Sequence, residues 1–197
     1  RFDTRNADNR YTTAFRTYGL EWESHESAVR QLRGSAIREE LLVALDNWIW
    51  CKEKTDPARV KPHALTNEAD DNDWRRALRE AGGQGDVSRI VELTKEPRAL
   101  QQPPTALAMV GELLYQSGRP KEAADWLRQA HQRHGDDFWL NHHLAYVLFA
   151  VIVPPRTDEA VGYFRATVAL RPDSAGVHFN LGNALREKGD LADAIVS

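Results

Sequence analysis

Apolar and small residues recur at helical spacing on both sides of Gly118, within residues 104–137. Before the glycine they are Leu107, Val110, Gly111 and Leu114, and after it they are Ala123, Leu127 and Ala130. A glycine between two such runs commonly ends one helix and forms the turn to the next. The pattern therefore predicts two antiparallel helices, in which Gly111 and Ala123 are small because the backbones approach closely there.

The same pattern returns twice downstream. Residues 138–174 hold a second pair, whose turn around Pro154 is three residues longer than the turn of the first pair. Residues 175–197 begin a third pair, and the chain ends inside its second helix. We therefore expect the chain to be a fragment of a larger protein, with a third unit that is truncated.

Residues 71–103 fit the same frame less closely. Leu78 and Ile90 occupy the two positions that should be small, so this segment is interpreted as a degenerate, more widely packed pair. Because one pair cannot bury its own apolar face, successive pairs are expected to stack, each against its neighbours. The pattern thus predicts an all-α fold built as a solenoid.

A recurrence of about 34 residues with small and aromatic positions at fixed offsets resembles the tetratricopeptide repeat family. The stretches that carry the resemblance are Asn180-Leu181-Gly182-Asn183-Ala184-Leu185, Glu159-Ala160-Val161 with Tyr163-Phe164, and Leu170-Arg171-Pro172. The resemblance implies a right-handed α-solenoid of antiparallel helix pairs. It also implies a concave surface lined by the first helix of each pair.

The N-terminal part follows a different pattern. Residues 1–9 have too few apolar side chains to offset the entropy of ordering, so we expect a disordered leader. Residues 10–70 predict a small helical segment, including a helix at about 24–33. The apolar face of that helix consists of Ala28, Val29 and Leu32. Residues 55–73 are expected to form a loop, with one or two helical turns after Pro62.

This N-terminal part carries a second resemblance. The sequences are AFRTYGL at 14–20, SAIR at 35–38, ALDNW at 44–48 and GDDFWLNH at 135–142. They resemble the helical segment between the catalytic domain and the tetratricopeptide repeats of certain bacterial serine/threonine protein kinases. The kinase motifs themselves, a Gly-rich loop, a strand lysine, His-Arg-Asp and Asp-Phe-Gly, do not occur in this sequence. The resemblance therefore concerns a non-catalytic region.

Composition excludes several kinds of partner. The formal charge of −3 disfavours a general nucleic-acid binder, which needs a basic face. Cys51 is the only cysteine and lies among apolar neighbours, so we expect a buried thiol and a reducing, cytoplasmic location. The sequence has no run of about 18 apolar residues and no signal-peptide pattern, so no membrane partner is expected.

Candidate chemistry is sparse. His131, His134, His142 and His143 cluster in sequence, but no Cys, Asp or Glu completes a recognised metal-ligand spacing, so no metal or other cofactor is expected. The glycines at 82–85 are not followed by Lys-Ser or Lys-Thr, which favours a turn over a phosphate-binding loop. No Ser, His and Asp set has a nucleophile context, so the chain is not expected to be an enzyme.

The family resemblance implies which side chains line the concave groove. They are Thr105, Ala108, Glu112 and Tyr115, then Trp139, His142, Tyr146 and Phe149, then Phe179, Asn183 and Arg186. Such an aromatic and mixed-polar surface suits an extended or helical peptide of a protein partner. The basic side chains of the chaperone-binding version of the family are missing, because Thr105, Ala108 and His142 stand in their places. We therefore expect no clamp for a terminal carboxylate.

Three alternatives remain open at this stage. The aromatic side chains could pack between repeats instead of binding a partner. The repeats could regulate an attached kinase domain or present substrates to it. The chain could also form a homodimer through the apolar edge that the truncated last helix leaves at Ile195 and Val196.

Overall fold

The computed structural model describes residues 4–21, 24–52 and 56–190, without the side chains of residues 4–7, 50 and 51. Every regular element in these ranges is helical, which confirms the all-α class. The chain divides into two compact units, residues 1–79 and 80–197. The division falls inside a helix, and the domain bounds expected from the sequence stay predictions. None of the described helices has the length and apolarity that crossing a membrane requires.

The first unit is a cluster of short helices. They are α1 (Thr4–Tyr18), α2 (His25–Gly34), α3 (Arg38–Cys51), α4 (Val60–Ala69) and the first part of α5 (Asp73–Gln84). The prediction for α2 is confirmed, because Ala28, Val29 and Leu32 are all buried. The Ser24 hydroxyl caps α2 by accepting a hydrogen bond from the backbone N–H of Ser27. The core of this unit also contains Phe15, Leu20, Leu41, Leu42, Leu45, Trp48, Leu65 and Ala69.

The leader that we predicted for residues 1–9 differs in the structure. Helix α1 begins at Thr4, and residues 1–3 lie outside the described ranges. The carboxylate of Asp8 accepts hydrogen bonds from the indole N–H of Trp48 and from the ammonium group of Lys52. The polar composition of residues 1–9 does not predict these contacts. They hold the start of α1 against α3 and Lys52, which lie about forty positions later in the sequence.

Helix α4 occupies the stretch that we expected to be mostly loop. Its ten residues include Pro62 in the first turn, where the missing N–H removes no helical hydrogen bond. The C-terminal end of α4 is satisfied by two arginines, since Arg33 donates to the carbonyl of Glu68 and Arg38 to that of Ala69. Contacts with neighbouring helices therefore stabilise α4. Its own sequence predicted only one or two helical turns.

A buried network of charges was also not predicted. Its members are Glu39, Asp46, Asp70, Arg75 and Arg79, and we call it the Asp70 network. Asp70 is fully buried and accepts hydrogen bonds from Arg75 at 2.6 and 2.8 Å and from Arg79 at 2.6 Å. Arg79 in turn pairs with both carboxylate oxygens of Asp46 on α3. The network thus joins α3, the end of α4 and α5.

The second unit stacks helices in chain order. They are α6 (Val87–Thr94), α7 (Pro104–Gln116), α8 (Pro120–His131), α9 (Phe138–Tyr146), α10 (Thr157–Leu170) and α11 (Ala175–Lys188), preceded by the end of α5. Helix α7 packs on α8 and α9, α9 packs on α10, and α10 packs on α11. Each pair thus contacts the next, which is the arrangement of an α-solenoid.

The structure leaves no room for a side chain at Gly111, but the group that approaches this glycine is the side chain of Leu127 and not the backbone of the second helix. A Cβ atom added at Gly111 would lie 2.5 Å from Cδ2 and 2.6 Å from Cγ of Leu127. Gly118 forms the predicted turn with a φ of +77°, and Ala123 is fully buried. The indole N–H of Trp126 donates to the carbonyl of Leu107 at 2.9 Å, which holds α8 against α7.

The extra residues of the second pair lie directly after its first helix, α9. After α9 the chain makes a π-type turn, Val147–Val151, in which the N–H of Ile152 donates to the carbonyl of Val147 at 2.9 Å. Residues 153–156 are exposed and lead into α10. Ala145 on α9 and Ala160 on α10 are fully buried.

Candidate functional site

Four partly exposed rings from α7 and α9 form a row on the surface of the second unit. The ring centroid of Tyr115 on α7 lies 5.8 Å from that of Tyr146 and 6.4 Å from that of His143. The His143 ring lies 5.9 Å from that of Trp139, one helical turn earlier on α9. Tyr146 is 39% exposed. We call these four side chains the α7–α9 face.

One carboxylate lies at the α7 side of this face. An oxygen of Glu112 is 4.0 Å from Nε2 of His143, and Glu112 also accepts a hydrogen bond from Gln116 at 2.8 Å. Burial, with the charge of Glu112 adding to it, raises the pKa of Tyr115. Burial and the neighbouring His142 lower the pKa of His143 to about 3. At neutral pH the face therefore presents neutral rings beside a single carboxylate.

The structure brings together four of the predicted groove residues: Glu112, Tyr115, Trp139 and Tyr146. His143 completes the face but was considered in the sequence only as a possible metal ligand. Its spacing of four residues from Trp139 was the signal that would have placed it on the same side of α9. These four side chains therefore lie together, and their role in binding a partner stays a prediction.

His142 lies elsewhere than predicted. Its ring is 6% exposed and stacks on Phe138 at 6.1 Å, with the edge of Phe164 at 6.4 Å. Its Nε2 is 3.2 Å from the side-chain nitrogen of Asn180 on α11. His142 thus packs between α9, α10 and α11 and does not line the surface.

Phe149 and Ala108 also differ from the prediction. Phe149 lies in the π-type turn and packs edge-on against Phe164 of α10 at 6.2 Å. The prediction assumed an unbroken α-helical period after Tyr146, and the wider turn changes which way later side chains point. Ala108 is buried on α7. For Phe149 the alternative of packing between helices therefore describes the structure better.

The remaining predicted positions stay predictions. Thr105 is partly exposed at the start of α7. On α11, Phe179 is 65% exposed, Asn183 is half-buried and Arg186 is exposed. These three recur at helical spacing, so they share one side of α11.

The histidines make separate contacts. His131 lies 3.1 Å from the side-chain oxygen of Asn141, whereas His142 and His143 pack as described above. In residues 4–21, 24–52 and 56–190, no group of three or more His, Cys, Asp or Glu side chains is placed to hold a metal ion.

Acid is expected to destabilise the second unit through His142 and His143. Burial and the charge of Arg171 lower the pKa of His142 to about 4, and that of His143 is lowered to about 3. As the pH falls below about 6.5, the unfolded chain binds protons that the folded chain does not, so stability is lost. Between about pH 7 and pH 5 we expect a loss of about 2 kcal/mol per histidine.

Urea unfolding of the second unit at both pH values measures this loss. His143→Gln should remove about half of it, and His134→Gln controls for replacing a histidine outside the pair. An unchanged pH dependence in folded His143→Gln would contradict the expectation.

These features define the class of the protein by its fold, an all-helical α-solenoid of stacked pairs. Residues 156–197 match the model of the family described as tetratricopeptide repeat. No curated protein matches the chain.

Two solved structures match most of the length of this chain. "MamA MSR-1 C2" shares 14% identity, with a TM-score of 0.49, over 89% of this chain and 91% of that one. YrrB, described as "a TPR protein with an unusual peptide-binding site", shares 17% identity, with a TM-score of 0.48, over 93% of this chain and 86% of that one. At such low identity, function has to be argued from the residues of this chain.

Proposed function

We propose that this chain is a non-catalytic scaffold that binds an extended or helical peptide segment of a partner protein on the α7–α9 face. The observation that carries the proposal is the row of four touching rings that remain partly exposed beside one carboxylate. Aromatic side chains provide large contact areas and dominate many protein interfaces.

The mutual packing of these rings also favours binding. Tyr115 lies between His143 and Tyr146, so its ring is held from two sides before any partner arrives. Side chains that are already ordered lose less conformational entropy when a ligand covers them. The face is therefore preorganised for a ligand that lies along α7 and α9.

Replacing Trp139 and Tyr146 with alanine is expected to weaken peptide binding about tenfold or more, because central aromatic residues commonly contribute over 1 kcal/mol each. Phage-displayed random peptides selected on the wild-type protein supply the probes. Fluorescence anisotropy of labelled, enriched peptides then measures their affinity for each variant.

Tyr18→Ala is the matched control, since Tyr18 is 38% exposed but lies in the first unit. It should leave the affinity unchanged. If the folded wild-type protein selects no peptide, or if the folded double variant binds as tightly as wild type, the proposed function is wrong.

The kinase resemblance supports a second proposal. In it, this chain is the region after the catalytic domain of a bacterial serine/threonine kinase, and the scaffold presents substrates in the cytoplasm or regulates the attached enzyme. The resembling segments are 14–20, 35–38, 44–48 and 135–142. Sequencing the gene upstream of Arg1 tests it, and coding sequence without kinase motifs there would refute it.

Self-association is a further possibility from the sequence. The apolar edge proposed for it, Ile195 and Val196, lies outside the described residues. Light scattering over a range of concentrations tests it, and a monomer at all of them would refute it.

A further inference from the structure

The guanidinium group of Arg171 lies in a corner formed by two aromatic rings. Its central carbon is 3.7 Å from the ring centroid of Phe138 and 5.4 Å from that of Trp139. The two rings meet nearly at right angles, 84°, with centroids 5.0 Å apart. Phe138 is only 7% exposed, so packing in the core holds its ring in place. Arg171 is therefore a positioned cation at the surface.

Stacking leaves the binding capacity of this group intact. A guanidinium that contacts a ring through its flat face keeps its N–H donors in the plane, where they can reach a carboxylate in two parallel hydrogen bonds. Other arginines of the second unit, such as Arg128 and Arg156, are already paired with Glu159. Among the residues that the structure describes, Arg171 has no carboxylate within ion-pair distance.

The corner is continuous with the α7–α9 face. Trp139 belongs to both, since its ring lies 5.9 Å from the His143 ring and 5.4 Å from the central carbon of Arg171. Burial and the charge of Arg171 lower the pKa of His142 beside it, so His142 adds no second positive charge at neutral pH. Along the row, the positive charge of Arg171 lies near Trp139, and the negative charge of Glu112 lies near His143.

We propose that Arg171 selects partners of the α7–α9 face by binding the side-chain carboxylate of an Asp or Glu in an acidic peptide, while an adjacent apolar side chain of that peptide lies on Trp139. The inference rests on the proposed function and specifies its ligand. A peptide that covers the corner removes water from the guanidinium and must supply the opposite charge. Glu112 lies beside His143 in the row and repels a second acid there, so one acidic position is favoured.

Selection of phage-displayed random peptides on the wild-type protein tests this inference. Enriched peptides are expected to carry Asp or Glu at one position, next to an apolar residue. One of them, labelled with fluorescein, is then measured by anisotropy against the wild-type protein, Arg171→Gln, Arg171→Lys and Lys121→Gln. Lys121→Gln is the matched control, because it removes an exposed positive charge on α8.

Arg171→Gln is expected to weaken binding about 10- to 100-fold, as for loss of a charged hydrogen-bonded pair. Arg171→Lys should restore part of the affinity, and Lys121→Gln should change nothing. The same peptide with its acid replaced by the corresponding amide should bind the wild-type protein about as weakly as the acid peptide binds Arg171→Gln. This last comparison needs no protein variant and holds even if Arg171→Gln fails to fold.

The outcomes separate the two proposals. Enriched peptides without an acidic position, or an amide peptide that binds as tightly as the acid peptide, would overturn the role of Arg171 and leave the peptide-binding function standing. If the wild-type protein selects no peptide at all, both are overturned. Sedimentation of the wild-type protein tests a second copy as the occupant, and dimers that Trp139→Ala dissociates would also overturn the acidic-peptide assignment.

Discussion

Replacing Asp70 with alanine is expected to lower the free energy of unfolding of the first unit by about 3–5 kcal/mol. Asp70 is fully buried and accepts hydrogen bonds from both Arg75 and Arg79. The substitution leaves two largely buried guanidinium groups with half of their acidic partners. Removing one member of a buried charge network is costly, because each guanidinium group loses a partner that had offset its desolvation.

The protonation state of Asp70 supports the same expectation. Burial alone would raise the pKa of this carboxyl group, but hydrogen bonds and charges from Arg75 and Arg79 lower it below its ordinary value. A carboxyl group whose pKa is lower in the folded state stabilises the protein above its unfolded pKa, near 3.9, and this contribution is lost as the pH falls further. At neutral pH the full contribution of Asp70 is present.

Hydrogen exchange measured on peptides from residues 25–79 checks the prediction for the first unit. Asp71→Ala is the matched control, because this neighbouring aspartate is exposed and pairs with Arg38 at the surface. Such surface pairs contribute little, so exchange should stay close to wild type. Equal protection in Asp70→Ala and Asp71→Ala would show that the Asp70 network does not stabilise the unit.

Gly111→Leu is expected to destabilise the second unit by about 3 kcal/mol or more. Even a Cβ atom at this position would lie 2.5 Å from Leu127, and Leu127 is itself fully buried. Because the nearest atoms include Cγ of Leu127, a change of its terminal methyl positions does not relieve the contact. The helices α7 and α8 have to separate, and the packing around them is lost.

Chemical denaturation of the wild-type protein, Gly111→Leu and Gly162→Ala measures this effect. Gly162 lies on the exposed side of α10, with no heavy atom within 4 Å of an added Cβ. Its replacement should stabilise the helix by up to about 1 kcal/mol. Gly111→Leu should also cost less when Leu127 is replaced by alanine, since the clash partner is then removed. Wild-type stability of Gly111→Leu would contradict the close approach.

Local periodicity in the sequence predicted much of the fold. The spacing of Ala28, Val29 and Leu32 predicted the buried side of α2, and the small size of Gly111 predicted a position without room for a side chain. These features depend on residues close in sequence, for which helical geometry alone fixes the neighbours. The solenoid order followed from repetition of the same unit.

Contacts between distant charged residues could not be predicted in the same way. Asp46 and Arg79 are 33 positions apart, and Asp70 stands in a polar stretch that is typical of a loop. A sequence pattern treats such side chains as solvated, because burial of a charge is favourable only when its partners are in place. The helix α4, which depends on Arg33 and Arg38 at its end, was underestimated for the same reason.

In the candidate site, helical spacing alone did not predict which side chains face the surface. Trp139 and Tyr146 were placed on one side of α9 correctly, whereas His142 points into the core and Phe149 follows the π-type turn. A period of 3.6 residues does not indicate which of two adjacent aromatic stripes faces the neighbouring helices. The position of Arg171 over Phe138 depends on the path of the chain after α10, which the sequence does not specify.

The Asp70 network also determines how the protein can be divided for expression. A fragment that stops at residue 70 would retain Glu39, Asp46 and Asp70 but lose Arg75 and Arg79. Its three carboxylates would therefore lack the arginines that pair with them in the network. We expect such a fragment to aggregate or to be degraded. A fragment designed to carry the N-terminal helices should extend at least to Arg79, and preferably to Gln84, where α5 ends.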